Sequence, residues 1–290
     1  MKIVRAGWTS GSFLVYTGAL LALGAAAAWQ SVISSDHGQG AFAGWSVLFV
    51  AVALGLALWY RVRHRLLVAG LFAFVAVALF AIMVGAFFSW FGWLSGDEAL
   101  HGFHWGNLGL ELLTLLAAAA ARRVFRFPFL VAILAGATWF FVADLLSSGG
   151  NWSATVTLLL GLAFFFRGLG LDGGDSRPYG FWWHVAAGLT VGGALLYWWH
   201  SGDGEWAGII IVALVFVFLG AAIRRSSYAV LGVFGLILAT GHYSLGETFG
   251  FGALRQPTTW AAPVAYLCLG LFLVLLGKLL HRRRAPADAV

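Results

Sequence analysis

The sequence predicts an all-α fold, a polytopic transmembrane helical bundle of about ten spans arranged as antiparallel hairpins in a single integral membrane domain, residues 1–290. Three observations support this prediction. The chain is 61% hydrophobic and only 10% charged, with a mean hydropathy of +0.91, whereas a soluble domain carries roughly 25% charged residues. Apolar runs of about 20 residues, the length that crosses a bilayer, recur along the whole chain. Lys and Arg residues are concentrated in the connections at alternate ends of these runs.

The apolar runs, taken in order, give ten predicted spans. Their approximate bounds are 11–33, 41–60, 66–90, 100–121, 128–147, 152–170, 180–200, 207–223, 227–245 and 260–280. Helices are expected throughout, because open sheet edges are not tolerated in lipid and the runs are too continuous for barrel strands. The first run follows Lys2 and Arg5 as in a signal peptide, but it extends to Ile33. We therefore expect an uncleaved first helix.

The basic residues predict the membrane topology of the chain. Sixteen of the seventeen Lys and Arg residues fall into six groups, and Arg255 is the exception. The groups are Lys2/Arg5, Arg61/Arg63/Arg65, Arg122/Arg123/Arg126, Arg167/Arg177, Arg224/Arg225 and Lys278/Arg282/Arg283/Arg284. The connections between them, such as 34–37 and 201–205, lack Lys and Arg. Because Lys- and Arg-rich loops stay in the cytoplasm, we expect both termini, including the short tail 281–290, to be cytoplasmic, and the protein to lie in the bacterial inner membrane.

Tryptophan residues cluster near the predicted span ends, where amphipathic rings prefer to lie. The seventh span is flanked by two Trp-Trp-His sequences that end in His184 and His200. Paired histidines invite a haem hypothesis, but sixteen helical residues would separate these two by about 24 Å. We therefore predict that both histidines, like Trp183 and Trp206, belong to the interfacial belt.

Small residues at helical spacing predict places where two helices approach closely. Two such pairs are Ala132 with Gly136 and Gly188 with Gly192. The 39 glycines of the chain favour a tightly packed bundle.

The C-terminal part of the chain carries a resemblance. It contains Arg224-Arg225-Ser-Ser-Tyr228-Ala-Val-Leu-Gly232-Val-Phe-Gly235, then Thr240-Gly241-His242, and a last span that ends Leu276-Gly277-Lys278. In these motifs and in its general style the chain resembles uncharacterised bacterial multi-pass membrane proteins of the domain-of-unknown-function type. The resemblance implies a topology and no catalytic activity.

Glu111 is the first candidate functional residue, since ionisable side chains inside a membrane are costly and tend to be functional. It lies eleven residues before Arg122, hence roughly 16 Å from the cytoplasmic boundary and near the middle of the bilayer. Asp97, His101 and His104 precede it at helical spacing and would share its face. Such a stripe could form a proton or ion path, the mouth of a substrate cavity or a metal site. Alternatively, Asp97, His101 and His104 lie in a solvent-exposed loop, and Glu111 has only a structural role as a hydrogen-bond partner of a neighbouring helix.

Asp144 and His242 are two further candidates. Each lies near the predicted outer end of its span, about 24 Å from the cytoplasmic side for Asp144. Together with Glu111 they could converge on an outward-facing cavity. One sequence does not show whether their helices are neighbours.

Several chemistries are not expected. The single cysteine, Cys268, excludes an intrachain disulfide, a thiolate zinc site and a cysteine-held iron–sulfur cluster. The sequence has no Walker A loop, dinucleotide fingerprint, nucleophile elbow or His-Glu-x-x-His zinc motif, and we read the acidic loop from Asp172 to Asp175 as a solvated connector. We expect no metal and no cofactor. The net charge of +6 is spread over the basic groups, so no nucleic-acid partner is expected.

Three classes of function remain open. A transporter or permease is favoured by ten compact spans and a midplane carboxylate. A structural or assembly subunit, with a membrane protein partner or a second copy of the chain beside it in the lipid bilayer, would need only a large apolar surface. A membrane enzyme acting on a lipid-linked substrate would use acid and base groups at the outer interface. Of the three classes, the sequence does not favour an enzyme.

Overall fold

The structure is a computed structural model. It describes residues 10–94, 104–146, 149–173, 176–199, 201–223, 225–245 and 261–282. Every regular element in these ranges is helical, which confirms the predicted all-α class. The helices are α1 Ser10–Val62, α2 Leu66–Trp90, α3 Trp105–Phe125, α4 Leu130–Leu146, α5 Gly150–Gly170, α6 Arg177–Trp198, α7 Asp203–Ala222, α8 Ser226–Leu245 and α9 Ala261–Arg282.

Four helices within the described ranges are long and apolar enough to cross a membrane. They are Gly38–Val62 (the second part of α1), Leu66–Trp90, Gly150–Gly170 and Asp203–Ala222. At about 1.5 Å per residue they are roughly 30–38 Å long, which matches the hydrocarbon core of a bilayer. Many large apolar side chains on the helices are exposed, among them Leu116, Leu159 and Val215. Such surfaces are unfavourable in water, so they indicate a membrane location.

Helix α1 differs from its prediction. Residues 34–37 were expected to form a loop between the first two spans, but the structure keeps them helical. The break lies at Gly38, whose φ of 79° and ψ of 176° are not helical. Glycine adopts this conformation without a steric penalty. A helix of 53 residues would be about 80 Å long, far longer than a bilayer is thick, and Gly38 divides it.

Three of the basic groups lie at the ends of consecutive helices that pack together and in the connections between them, α1 with α2, α3 with α4 and α7 with α8. In the first two connections a residue other than glycine adopts the left-handed conformation, His64 with φ 57° and Arg126 with φ 50°. The Arg126 N–H still donates to the carbonyl of Arg122 at 3.0 Å, so this residue closes α3 and redirects the chain into α4.

The chain divides into two compact units, Met1–Ala186 and Ala187–Val290. The core of the first unit brings together small and aromatic residues from α1 to α4. Its buried members are Ala57, Ala69, Leu71, Ala73, Val77, Ala118, Phe125, Phe127 and Leu130. The Phe127 ring lies directly on Gly70, where a Cβ atom would overlap it. A glycine on α2 therefore lets the connection before α4 insert into the core.

In the second unit α7 and α8 pack with their backbones nearly touching. A Cβ atom at Gly232 would overlap the carbonyl of Ala213 and lie 2.9 Å from the amide nitrogen of Val217. At Gly188 the neighbour is the side chain of Leu231 and not the backbone of α8, so the predicted close approach of backbones is not seen there. The prediction is wrong at Gly136 and Gly192, since nothing lies within 4 Å of a Cβ atom at either position.

Candidate functional site

Glu111 lies in the second turn of α3 and is buried, with 8% of its surface exposed. Helix α3 has 21 residues and is about 31 Å long. Glu111 is about 9 Å from its first residue and about 21 Å from its last, Phe125. It is therefore nearer to the N-terminal end of α3 than to its C-terminal end, and its predicted depth near the middle of the bilayer stays a prediction.

Asp144 lies on α4 and is also buried, with 5% exposed. It follows Leu130, the first residue of α4, by fourteen positions, and Glu111 precedes Phe125 by fourteen. Since α3 and α4 pack together from a short connection, the two acids lie at the same height. Their carboxyl groups lie within hydrogen-bonding reach of each other. The structure thus brings together two of the predicted candidates as a carboxyl pair.

This proximity of the two carboxyl groups has a chemical consequence. A carboxylate only accepts hydrogen bonds, so a bond between two carboxyl groups requires a proton on one of them. Two ionised carboxylates this close in a site of low polarity would repel each other strongly. The second oxygens, Oε2 of Glu111 and Oδ1 of Asp144, are buried and make no hydrogen bond within the described ranges. The pair can therefore hold one proton and can still accept hydrogen bonds from a solute or from water.

His104 caps the N-terminal end of the same helix. It lines a cavity of about 540 Å³ between the end of α2 and the start of α3, together with Phe88, Trp93 and Trp105. His104 precedes Glu111 by seven residues, but its backbone is extended (φ −124°, ψ 118°), so it lies just before the first residue of α3 and not on a helical face. The predicted polar stripe, which required His101 and His104 to be part of the helix, stays a prediction. Its members Asp97 and His101 lie outside the described residues.

His242 belongs to the second unit and has its own polar neighbours. Its Nε2 atom lies 3.0 Å from a carboxylate oxygen of Asp203. Its ring stacks on Trp206 with the centroids 4.7 Å apart and the planes at 11°. The hydroxyl of Tyr243 donates to the Asp203 carbonyl. Trp206 is buried at 1% exposure, so its predicted place in an exposed aromatic belt is wrong. Convergence of His242 with Glu111 and Asp144 stays a prediction.

His184 was predicted to lie in the interfacial belt, and this is wrong. The side chain is fully buried, and its Nε2 atom lies 3.0 Å from a carboxylate oxygen of Asp172. Its ring fits against Gly168, where a Cβ atom would be only 2.8 Å away. Asp172 is therefore no solvated connector but anchors the end of α5 to α6. His200 and Asp175 lie outside the described residues.

In the described part of the chain, no three His, Cys, Asp or Glu side chains lie close enough together to hold a metal ion. No protein-family model, curated protein or solved structure matches the chain. The function is therefore argued from the carboxyl pair itself.

Proposed function

We propose that the protein is a transporter of the bacterial inner membrane that couples movement of a solute to protons bound by Glu111 and Asp144. The observation that carries this proposal is the carboxyl pair, which is buried between two packed helices of a membrane protein. An ionisable group inside a membrane helix is costly, by about 2.5–3.5 kcal/mol when it lies at the centre, and such groups commonly mark proton or substrate paths.

A purely structural role accounts less well for two acids. Apolar residues of similar volume often stabilise a buried site as well as a polar pair does. Two carboxyl groups that share a proton differ from an apolar contact in one respect, since they can release that proton and take it up again. The cavity at this end of α3 is lined mainly by aromatic residues and glycines, with His104 as its ionisable side chain, and we place the proton entrance there.

The membrane topology of the chain is part of the same proposal. We place ten spans as antiparallel hairpins, with α1 supplying one on each side of Gly38, and both termini in the cytoplasm. The Arg-bearing connections of the structure support this arrangement. Reporter fusions at His37, Asn151 and Asp203 are expected to report the outside, and fusions at Arg65 and Arg126 the cytoplasm. A cytoplasmic result at two of the three outer sites would contradict the arrangement.

Proton movement in liposomes tests the transport proposal. The full chain is reconstituted into liposomes that contain a trapped pH-sensitive dye, and a potassium diffusion potential is imposed. Amino acids, sugars and small carboxylates are then added as separate mixtures. We expect solute-dependent proton movement that protein-free liposomes do not show.

Proton movement no faster than in protein-free liposomes, with every mixture, would contradict the proposal. A structural or assembly subunit would instead co-purify with a stoichiometric membrane protein partner, or with a second copy of the chain. That result, combined with an absence of proton movement, would favour the second class of function.

A further inference from the structure

The second unit contains an apolar cavity of about 250 Å³ between α6, α7 and α8. Its lining has no charged side chain and includes Gly192, Gly193, Leu196, Phe216, Phe234 and Leu238. Ligand pockets for small molecules usually measure about 300–1,000 Å³. The cavity lies just below this range, so it is large enough for part of one acyl chain and too small for a complete lipid.

Two consecutive glycines on α6 keep this space open. Nothing lies within 4 Å of a Cβ atom built at Gly192 or at Gly193. Other glycines of this unit, such as Gly188 and Gly232, serve close packing and leave no room for a Cβ atom. The α6 pair has no such packing role, since it borders an unfilled trough on the helix surface.

The cavity continues towards a polar group at one end of the helices. Ile209 and Leu238 line it, and both pack in the cluster that contains Trp206. Trp206 stacks on His242, which pairs with Asp203. The Asp203 side chain is 86% exposed. Asp203 precedes Ile209 by six residues on α7, about 9 Å along the axis, so the exposed carboxylate lies beyond one end of the apolar trough.

We propose that this site binds a phospholipid with an ammonium headgroup, whose one acyl chain fills the trough while the ammonium group lies at Asp203. The volume selects one chain, because a second would not fit. The exposed carboxylate selects a cationic group, because it attracts an ammonium and repels a headgroup that is only anionic.

Lipid that remains bound after purification tests this inference. The full chain is placed in nanodiscs of equal phosphatidylethanolamine and phosphatidylglycerol, extracted in detergent and analysed by mass spectrometry for lipid per protein. The native chain is expected to retain phosphatidylethanolamine in preference to phosphatidylglycerol. Gly192→Leu places a side chain in the trough and is expected to lose the bound lipid. Gly270→Leu, at an exposed position of α9 with nothing within 4 Å, is the matched control and should retain it.

Asp203→Asn tests recognition of the headgroup separately from binding of the acyl chain. The result does not depend on whether Gly192→Leu folds. Asparagine keeps an oxygen that can accept from His242 but removes the negative charge. We expect the variant to retain lipid without the preference for phosphatidylethanolamine. The inference is overturned if Gly192→Leu retains as much lipid as Gly270→Leu. It is also overturned if the native chain prefers phosphatidylglycerol, shows no preference, or retains another amphiphile instead.

Discussion

Replacing Glu111 with glutamine is expected to reduce proton movement to the rate of protein-free liposomes, with little change in stability. Glutamine has nearly the same size and can donate a hydrogen bond to Asp144, but it cannot exchange a proton. Because a hydrogen bond survives, the free energy of unfolding should change by less than about 1.5 kcal/mol, the net value of one such bond. Proton flux in liposomes and thermal unfolding of the purified variant check the two parts.

The matched control is Glu205→Gln, the same chemical change outside the carboxyl pair. The Glu205 carboxylate accepts from the amides of Ser201 and Gly202 at the start of α7, and glutamine can serve as such a cap. Its proton flux should equal that of the native chain. Asp144→Asn should behave like Glu111→Gln, and the double variant should be no worse than either, because the two acids act as one unit. Full flux in Glu111→Gln would contradict the proton site.

Replacing Gly232 with alanine is expected to cost about 1–3 kcal/mol of stability, the range found when an extra group is forced into a packed core. The added methyl group would overlap the carbonyl of Ala213 and press on the amide of Val217. Both are backbone atoms of α7, so no side chain can rotate away, and the two helices must separate. Thermal unfolding in detergent measures the loss.

Gly270→Ala controls for the change in helix propensity. Nothing lies within 4 Å of a Cβ atom there, and alanine favours a helix over glycine by about 0.8–1 kcal/mol. This variant should unfold at the native temperature or slightly above it. Equal unfolding temperatures for Gly232→Ala and Gly270→Ala would show that α7 and α8 do not pack as closely as the structure has them.

The helical class could be predicted from the sequence because hydrophobic runs of bilayer length have few alternatives. Glu111 and Asp144 could be singled out by the cost of placing acids among apolar residues. Their pairing could not, because it needs α3 and α4 to be neighbours and their ends to be known. The shared spacing of fourteen residues from the connection was nevertheless a usable signal.

Other features depend on tertiary packing that local sequence does not encode. His184 follows two tryptophans, a pattern typical of a membrane interface, and its burial arises because Gly168 makes room and Asp172 supplies a partner. Gly188 and Gly192 belong to the same pattern of small residues in the sequence, although Gly188 makes a close contact and Gly192 borders open space. Only the positions of α7 and α8 distinguish a packing glycine from one that borders a cavity.

The protonation of the carboxyl pair is the most direct test of the proposed function. Infrared spectra of the purified chain at neutral pH, recorded in H₂O and in D₂O, report the carbonyl stretch of a protonated carboxyl group. We predict one such band that shifts in D₂O and is altered in both Glu111→Gln and Asp144→Asn, but not in Glu205→Gln. A native spectrum without this band, or a band unchanged in both variants, would contradict a proton held between Glu111 and Asp144.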